Sequence, residues 1–289
     1  MSENTELYIG TSGWSYPKGE GTWKRYFYPK GKIDELEYYS RFFNTVELNS
    51  SFYRPPNPEY ARNWVRKVPE GFLFTVKLWQ KFTHPKMYKE ATGRDEPISS
   101  DDVDLFRRSL EPLAAAGKLG ALLAQFPPSF KNDSYGRQIL VAVNRAFGQY
   151  GLAVELRHKS WSDDPGTADL LKESGICWVQ IDEPKFSSSI ARQIPRTSDM
   201  SYFRFHGRNA KAWWGGDNET RYKYLYSTEE IKELANGIES IKQETRLLFA
   251  QFNNHWQGYA PRNANDLKNA LQLSFTDLPS QFGTLEANK

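Results

Sequence analysis

Glu47, Glu155 and Asp182 each stand at or near the end of an extended apolar run, in TVELN (45–49), LAVELR (152–157) and CWVQID (177–182). Two carboxylates in one pocket can divide general-acid and general-base work, and several with a histidine can hold a metal. Cations and amides end the other runs. Lys77 closes GFLFTVK (71–77), Arg204 and His206 close MSYFRFH (200–206), and Asn253 and Asn254 close RLLFAQFNN (246–254). A desolvated lysine beside other cations can free its amine for a Schiff base, although a salt bridge to Glu47 or Glu155 is the plainer reading of Lys77. Arginine forks such as Arg157 and Arg204 match carboxylate or phosphate groups. Read with period two, Glu47 shares a face with Asn49, Thr75 with Lys77, and Glu155 with Arg157. The same reading pairs Gln180 with Asp182, Arg204 with His206, and Gln251 with Asn253. An unpaired buried charge costs several kcal/mol, so six runs ending this way predict that their ends converge on one polar site. The catalytic set is therefore Glu47, Lys77, Glu155, Asp182 and His206. The alternative is a structural ion-pair network among the same side chains.

The elements that must position these groups follow from the pattern. Strands are expected at 7–11, 45–49, 71–77, 119–126, 152–156, 176–182, 200–206 and 246–252, and helices at 33–43, 58–68, 101–116, 134–149, 165–174, 228–243 and 263–273. Pro58 suits a first helical turn, and Ser99, Ser100 and Thr228 are capping residues. Eight βα units in 289 residues predict one domain over 1–289, an α/β TIM-like (β/α)8 barrel. Gly10 to Gly13 starts no GxGxxG, which disfavours a doubly wound sheet. Barrel enzymes place their chemistry at the C-terminal strand ends. All four histidines and seven of the nine tryptophans follow strand ends.

The substrate-binding set comes from those ends: Ser12, Trp14, Asn49, Tyr53, Arg54, Gln125, Arg157, His158, Trp161, Arg204, Arg208, Trp213, Trp214, Asn253 and Asn254. Gly10 and Gly13 permit a turn whose N–H groups can meet an anion. Ser12 lies in no GxSxG elbow. His206-Gly207-Arg208 and Asn253-Asn254 open the loops where barrels often hold phosphate. Trp213-Trp214 precedes Gly215-Gly216, a pair that permits movement. His158 has the opposite parity to Arg157 and is expected on the rim. The cation-rich ring repels a divalent ion, and the histidines lack His-x-x-x-His spacing, so no metal and no cofactor are expected.

Composition bounds the reading. Lys and Arg number 38 against 35 Asp and Glu, a net charge of +3 that argues little for nucleic acid. Aromatic residues make up 15% of the chain, more than a core requires, which fits a ring-lined binding surface. Mean hydropathy is −0.70, and no run reaches the roughly 20 apolar residues of a membrane span. The N-terminus lacks signal-peptide regions. Cys177, the single cysteine, reads as a core thiol, and the cytoplasm is the default compartment.

Seven stretches resemble one family, domain of unknown function 72, also called YecE-like. They are IGTSGWSY (9–16), VELNSSFYRPP (46–56), FTVKLWQKFTH (74–84), LLAQFPPSF (122–130), VELRHKSW (154–161), YFRFHGR (202–208) and FNNHWQGYAPRNA (252–264). The resemblance implies a TIM-like barrel and no established reaction. The residues themselves point to an enzyme for a small anionic, ring-containing substrate, such as a sugar phosphate or a nucleotide-like compound. Lyase, isomerase and hydrolase chemistry remain open. A nucleic-acid binder or repair-type phosphodiesterase is one alternative, with Arg54, Lys77, Lys81, Lys86, Arg208, Lys211 and Arg262 as phosphate contacts. A non-catalytic small-molecule sensor is another. No membrane partner is expected, and the oligomeric state is not encoded in any motif.

Overall fold

The computed structural model describes residues 5–213, 215, 218–274, 276, 278 and 279. Its strands are β1 (Glu6–Ser12), β2 (Thr45–Leu48), β3 (Leu73–Lys77), β4 (Leu119–Gln125), β5 (Leu152–Glu155), β6 (Cys177–Trp178), β7 (Gln180–Asp182), β8 (Met200–Phe205) and β9 (Leu247–Phe252). The helices are α1 (Glu35–Tyr39), α2 (Pro58–Lys67), α3 (Gln80–Thr83), α4 (Pro85–Thr92), α5 (Ser100–Ala115), α6 (Ser134–Phe147), α7 (Gly166–Glu173), α8 (Asn218–Arg221), α9 (Thr228–Lys242) and α10 (Tyr259–Ala270). Caps set several starts. Ser99 and Asp102 form a capping box at α5, and Ser227 with Glu230 forms another at α9. Thr228 is thus the first helical residue rather than the cap. Asn57 caps α2 with Pro58 in its first turn, and Asp133 caps α6.

The strands hydrogen-bond in the order β6-β5-β4-β3-β2-β1-β9-β8-β7. Pairing is parallel for β1 with β9, β3 with β4, β4 with β5, and β5 with β6. β6 and β7 are two pieces of the single strand expected at 176–182, interrupted at Val179. The ends of the strand order are therefore consecutive in the chain, and the pairing is that of a TIM-like (β/α)8 barrel. A side chain stands beside the interruption. The Thr197 hydroxyl accepts from Trp178 N–H at 2.8 Å and donates to Ile176 carbonyl at 2.6 Å, which takes Trp178 N–H out of the ladder.

The residues fall into two compact units. The first contains the residues up to Val46, Ile181–Pro184 and those from Phe203 onward. Here Tyr39 of α1 ties β1 to the start of β2: its hydroxyl accepts from Thr11 N–H and donates to Thr45 carbonyl, each at 2.9 Å. Gly10 is required at this crossing, because a Cβ there would lie 2.1 Å from Thr45 oxygen. The second unit contains Glu47–Gln180 and Lys185–Tyr202. Phe82, Phe106 and Phe147 pack edge to face between its helices, with ring centroids 5.0–5.7 Å apart. The stretch 78–100, where neither a strand nor a helix is expected, carries the short helices α3 and α4. Among the described residues no helix is long and apolar enough to cross a membrane.

Candidate functional site

In the second unit the strand alternation brings polar side chains together as its period requires. Glu47 of β2 is fully buried and accepts a hydrogen bond from the Tyr202 hydroxyl at 2.8 Å. That hydroxyl also meets Thr75 Oγ1 of β3 at 2.7 Å. Glu47, Thr75 and Tyr202 therefore share one face across three strands. At the end of β5, Glu155 is fully buried, and Arg157 places Nη2 at 2.5 Å and Nε at 2.7 Å from its Oε1. At the end of β3, the Lys77 ammonium lies 4.2 Å from the centroid of the Phe52 ring, a cation–π contact. His84 meets the same ring edge to face, with centroids 5.0 Å apart.

His84 is the residue that the sequence reading left out of its site. Its ring contacts Thr83 Oγ1 through Nδ1 at 2.9 Å and Gln125 Nε2 through Nε2 at 3.5 Å. With the Gln125 amide donating, Nε2 is the acceptor and Nδ1–H donates to Thr83. Burial pushes the imidazole down to about 4, and the positive charges of Lys77 and Arg157 push the same way against Glu155. His84 is thus neutral at pH 7. Its sequence signal was its place in the segment after the third strand, seven residues beyond Lys77. Tyr202 was also missed, although it precedes Arg204 by two residues and so shares its face.

His84 also lines a cavity of about 710 Å³ formed by the loops and helices after β3 and β4. The strand-end groups Glu47, Lys77, Glu155, Asp182, Arg204 and Asn253 do not line this cavity. Of the other expected binding residues in this unit, Tyr53 is 65% exposed, Arg54 is exposed, and Asn49 has a buried Oδ1 without a donor. His158 caps a short turn by accepting from Ser160 N–H at 3.1 Å. Trp161 is fully buried and donates to Phe130 carbonyl at 2.9 Å. Both residues hold loop structure.

In the first unit, Asp182 is held by one cation and one hydroxyl. Arg208 Nη2 lies 2.7 Å from its Oδ2, and the Tyr226 hydroxyl donates to its Oδ1 at 2.8 Å. Arg208 also reaches Glu230 at 3.2 Å and Glu233 at 3.1 Å on α9. Hydrogen bonding to Asp182 raises the Arg208 guanidinium above its ordinary range. Tyr226 packs against Phe205 and Phe252. Gly207 N–H donates to the Tyr226 hydroxyl at 2.9 Å, and Asn254 donates to Tyr224 carbonyl and to Asn263, each at 2.8 Å. The groups expected to cradle phosphate after the seventh and eighth expected strands, Gly207, Arg208 and Asn254, thus have protein partners.

Arg204 and His206 do come together, with Nη1 and Nε2 3.5 Å apart, and Asn253 donates to His206 Nδ1 at 3.0 Å. Trp213 is buried and stands edge-on to His206 at 6.3 Å. Ser12 Oγ is buried without a hydrogen-bond partner, and Trp14 accepts from Tyr28 through its carbonyl. Trp214 lies outside the described residues. Among the described residues, no three His, Cys, Asp or Glu side chains gather as a metal site.

The model of the family described as "Protein of unknown function DUF72" matches residues 8–286. UPF0759 protein YunF of Bacillus subtilis (strain 168) is 30% identical over 288 residues, covering 94% of this chain and 97% of its own. UPF0759 protein YecE of Escherichia coli (strain K12) is 30% identical over 156 residues, covering 53% and 48%. Two crystal structures of DUF72 family proteins superpose well. The one from Enterococcus faecalis V583 has a TM-score of 0.81 at 28% identity, covering 95% of this chain and 98% of that one. The one from Thermotoga maritima MSB8 has a TM-score of 0.80 at 37% identity, covering 92% and 99%. With the family model spanning nearly the whole chain and a relative matched end to end, this protein belongs to the DUF72 family.

Proposed function

We propose that the protein is an enzyme for a small anionic, ring-containing substrate, worked on at the strand ends of the second unit. Lys77 and Arg157 hold the anion, Glu155 is the base, and neutral His84 accepts a hydrogen bond from the substrate. One observation carries this reading. His84 feels the charges of Lys77, Arg157 and Glu155 and also borders the 710 Å³ cavity. Perturbed groups beside a concave space of that size are the usual mark of a small-molecule site. Asp182, another member of the expected catalytic set, is engaged by Arg208 and Tyr226 in the first unit, whereas Glu155, though paired with Arg157, is the carboxylate whose charge reaches His84.

The phosphodiesterase alternative draws less support. Lys81, one of its phosphate contacts, is buried against Asp102 at 2.8 Å, and Arg208 faces three carboxylates. Calorimetric titration with orthophosphate tests the anion reading. Lys77→Met and Arg157→Gln should each weaken binding by about tenfold or more, the loss of a charge-assisted contact. Equal affinity in the parent and both variants would refute it.

A further inference from the structure

The cavity beside His84 differs in character from the strand ends. Its charged lining is balanced: Lys81, Lys86, Arg94 and Lys131 against Glu90, Asp95, Glu96 and Asp133. Several of these charges are already engaged. Lys81 pairs with Asp102 and Glu96, and the Asp133 carboxylate caps α6. An anion gains little from such a wall. The rest of the lining is apolar and aromatic. Met87, Ile98 and Tyr135 are three of the seven large hydrophobic side chains exposed among the described residues, and all three border this space. Exposed apolar side chains converging on one concavity mark a ligand surface. One wall is rigid, because Phe126 and Phe130 stack at 4.1 Å and Phe130 stacks on buried Trp161 at 5.4 Å. A preorganised wall costs no ordering when a ligand docks. His84 is a buried polar group that feels the charges of Lys77 and Arg157, and its Nε2 contact to Gln125 is long at 3.5 Å while the Gln125 amide also donates to Phe126 carbonyl at 2.9 Å, so a ligand donor can replace that amide at the single Nε2 lone pair.

We propose that this cavity binds a flat, uncharged, fused-ring group carrying one N–H or O–H donor, with His84 Nε2 as its acceptor. The assignment rests on the small-molecule reading above and names the ring end of that substrate. The anionic end then lies past His84, toward Lys77. The volume accommodates two fused rings and the start of a linker.

Indole and N-methylindole are the probes, titrated into the whole chain and followed by ligand-detected NMR. The parent protein should bind indole about tenfold more tightly than N-methylindole, which lacks the donor. His84→Phe keeps a ring in place and should erase that preference. Met87→Glu, at a 45% exposed position where folding is not at stake, should weaken both probes. Absence of saturable indole binding, or indole binding indifferent to Met87→Glu, would overturn the proposal. So would a preference for indole that survives His84→Phe. Orthophosphate separates this test from the anion reading. Phosphate binding without indole binding removes the ring site alone, and indole binding without phosphate binding removes the anion site alone.

Discussion

Replacing Glu155 with glutamine removes the counter-charge of Arg157 while keeping an oxygen near its guanidinium. The carboxylate is fully buried, the arginine side chain is 12% exposed, and two N–H groups converge on one oxygen at 2.5 and 2.7 Å. Stranding a buried cation costs about 3–5 kcal/mol, and the retained amide oxygen sets the expectation at the lower end, about 3 kcal/mol. At about 1.6 °C per kcal/mol for a chain of 289 residues, Tm should fall by about 5 °C at pH 7. If Arg157 meets substrate anions, orthophosphate should recover much of that loss. Saturation at about 100 times Kd contributes about 2.7 kcal/mol. Calorimetry of Glu155→Gln and the parent, each with and without orthophosphate, reads both quantities. A fall that phosphate does not reverse would identify a sealed structural pair and remove Glu155 from the catalytic residues. An unchanged Tm without phosphate would refute the argument about the buried pair itself.

Other perturbations follow from the same geometry. Burial holds His84 and His255 at about 4, below the unfolded value of 6.5, so both fold as neutral rings. Their stabilisation is present above pH 6.5 and is lost as pH falls toward 4, with about 3 kcal/mol at stake for His84. Urea unfolding at pH 7 and pH 4.5 should show a smaller difference in His84→Gln than in the parent, and an equal difference would contradict the assignment. Tyr202→Phe takes one donor from the buried Glu47 carboxylate and one partner from Thr75, and should cost about 1.5–3 kcal/mol by urea unfolding. A midpoint matching the parent would mean that Glu47 does not depend on that hydroxyl. Gly10→Ala sets a methyl against the Thr45 carbonyl, and a destabilisation of at least about 1–3 kcal/mol is expected. A stable, soluble alanine variant would show that this crossing yields. Elemental analysis of chelator-free protein should find no stoichiometric metal, and about one equivalent of zinc, manganese or iron would revive the phosphodiesterase alternative.

The sequence by itself determined what depends on neighbours a few residues apart. Strand alternation is local, so the shared face of Glu47 and Thr75 was readable from their places in TVELN and GFLFTVK. Capping is local too, and Ser99 announced α5. Together these determined the order of βα units and hence the barrel. Tertiary structure decided whatever needed a partner from far along the chain. Thr197 takes up the Trp178 N–H from 19 residues away, next to the interruption of the sixth expected strand at Val179, and no propensity within CWVQID announces that. Asp182 could be read as a strand-end carboxylate, but the cation and the hydroxyl that hold it come from Arg208 and Tyr226. The stretch 78–100 read as a loop because its two helices are too short for a periodic signal, yet it walls the cavity together with residues 126–139. His84 owes its neutral state to burial and to charges on other strands. Period and caps are written in adjacent residues, whereas burial, ion pairing and cavities exist only once distant segments exclude water together.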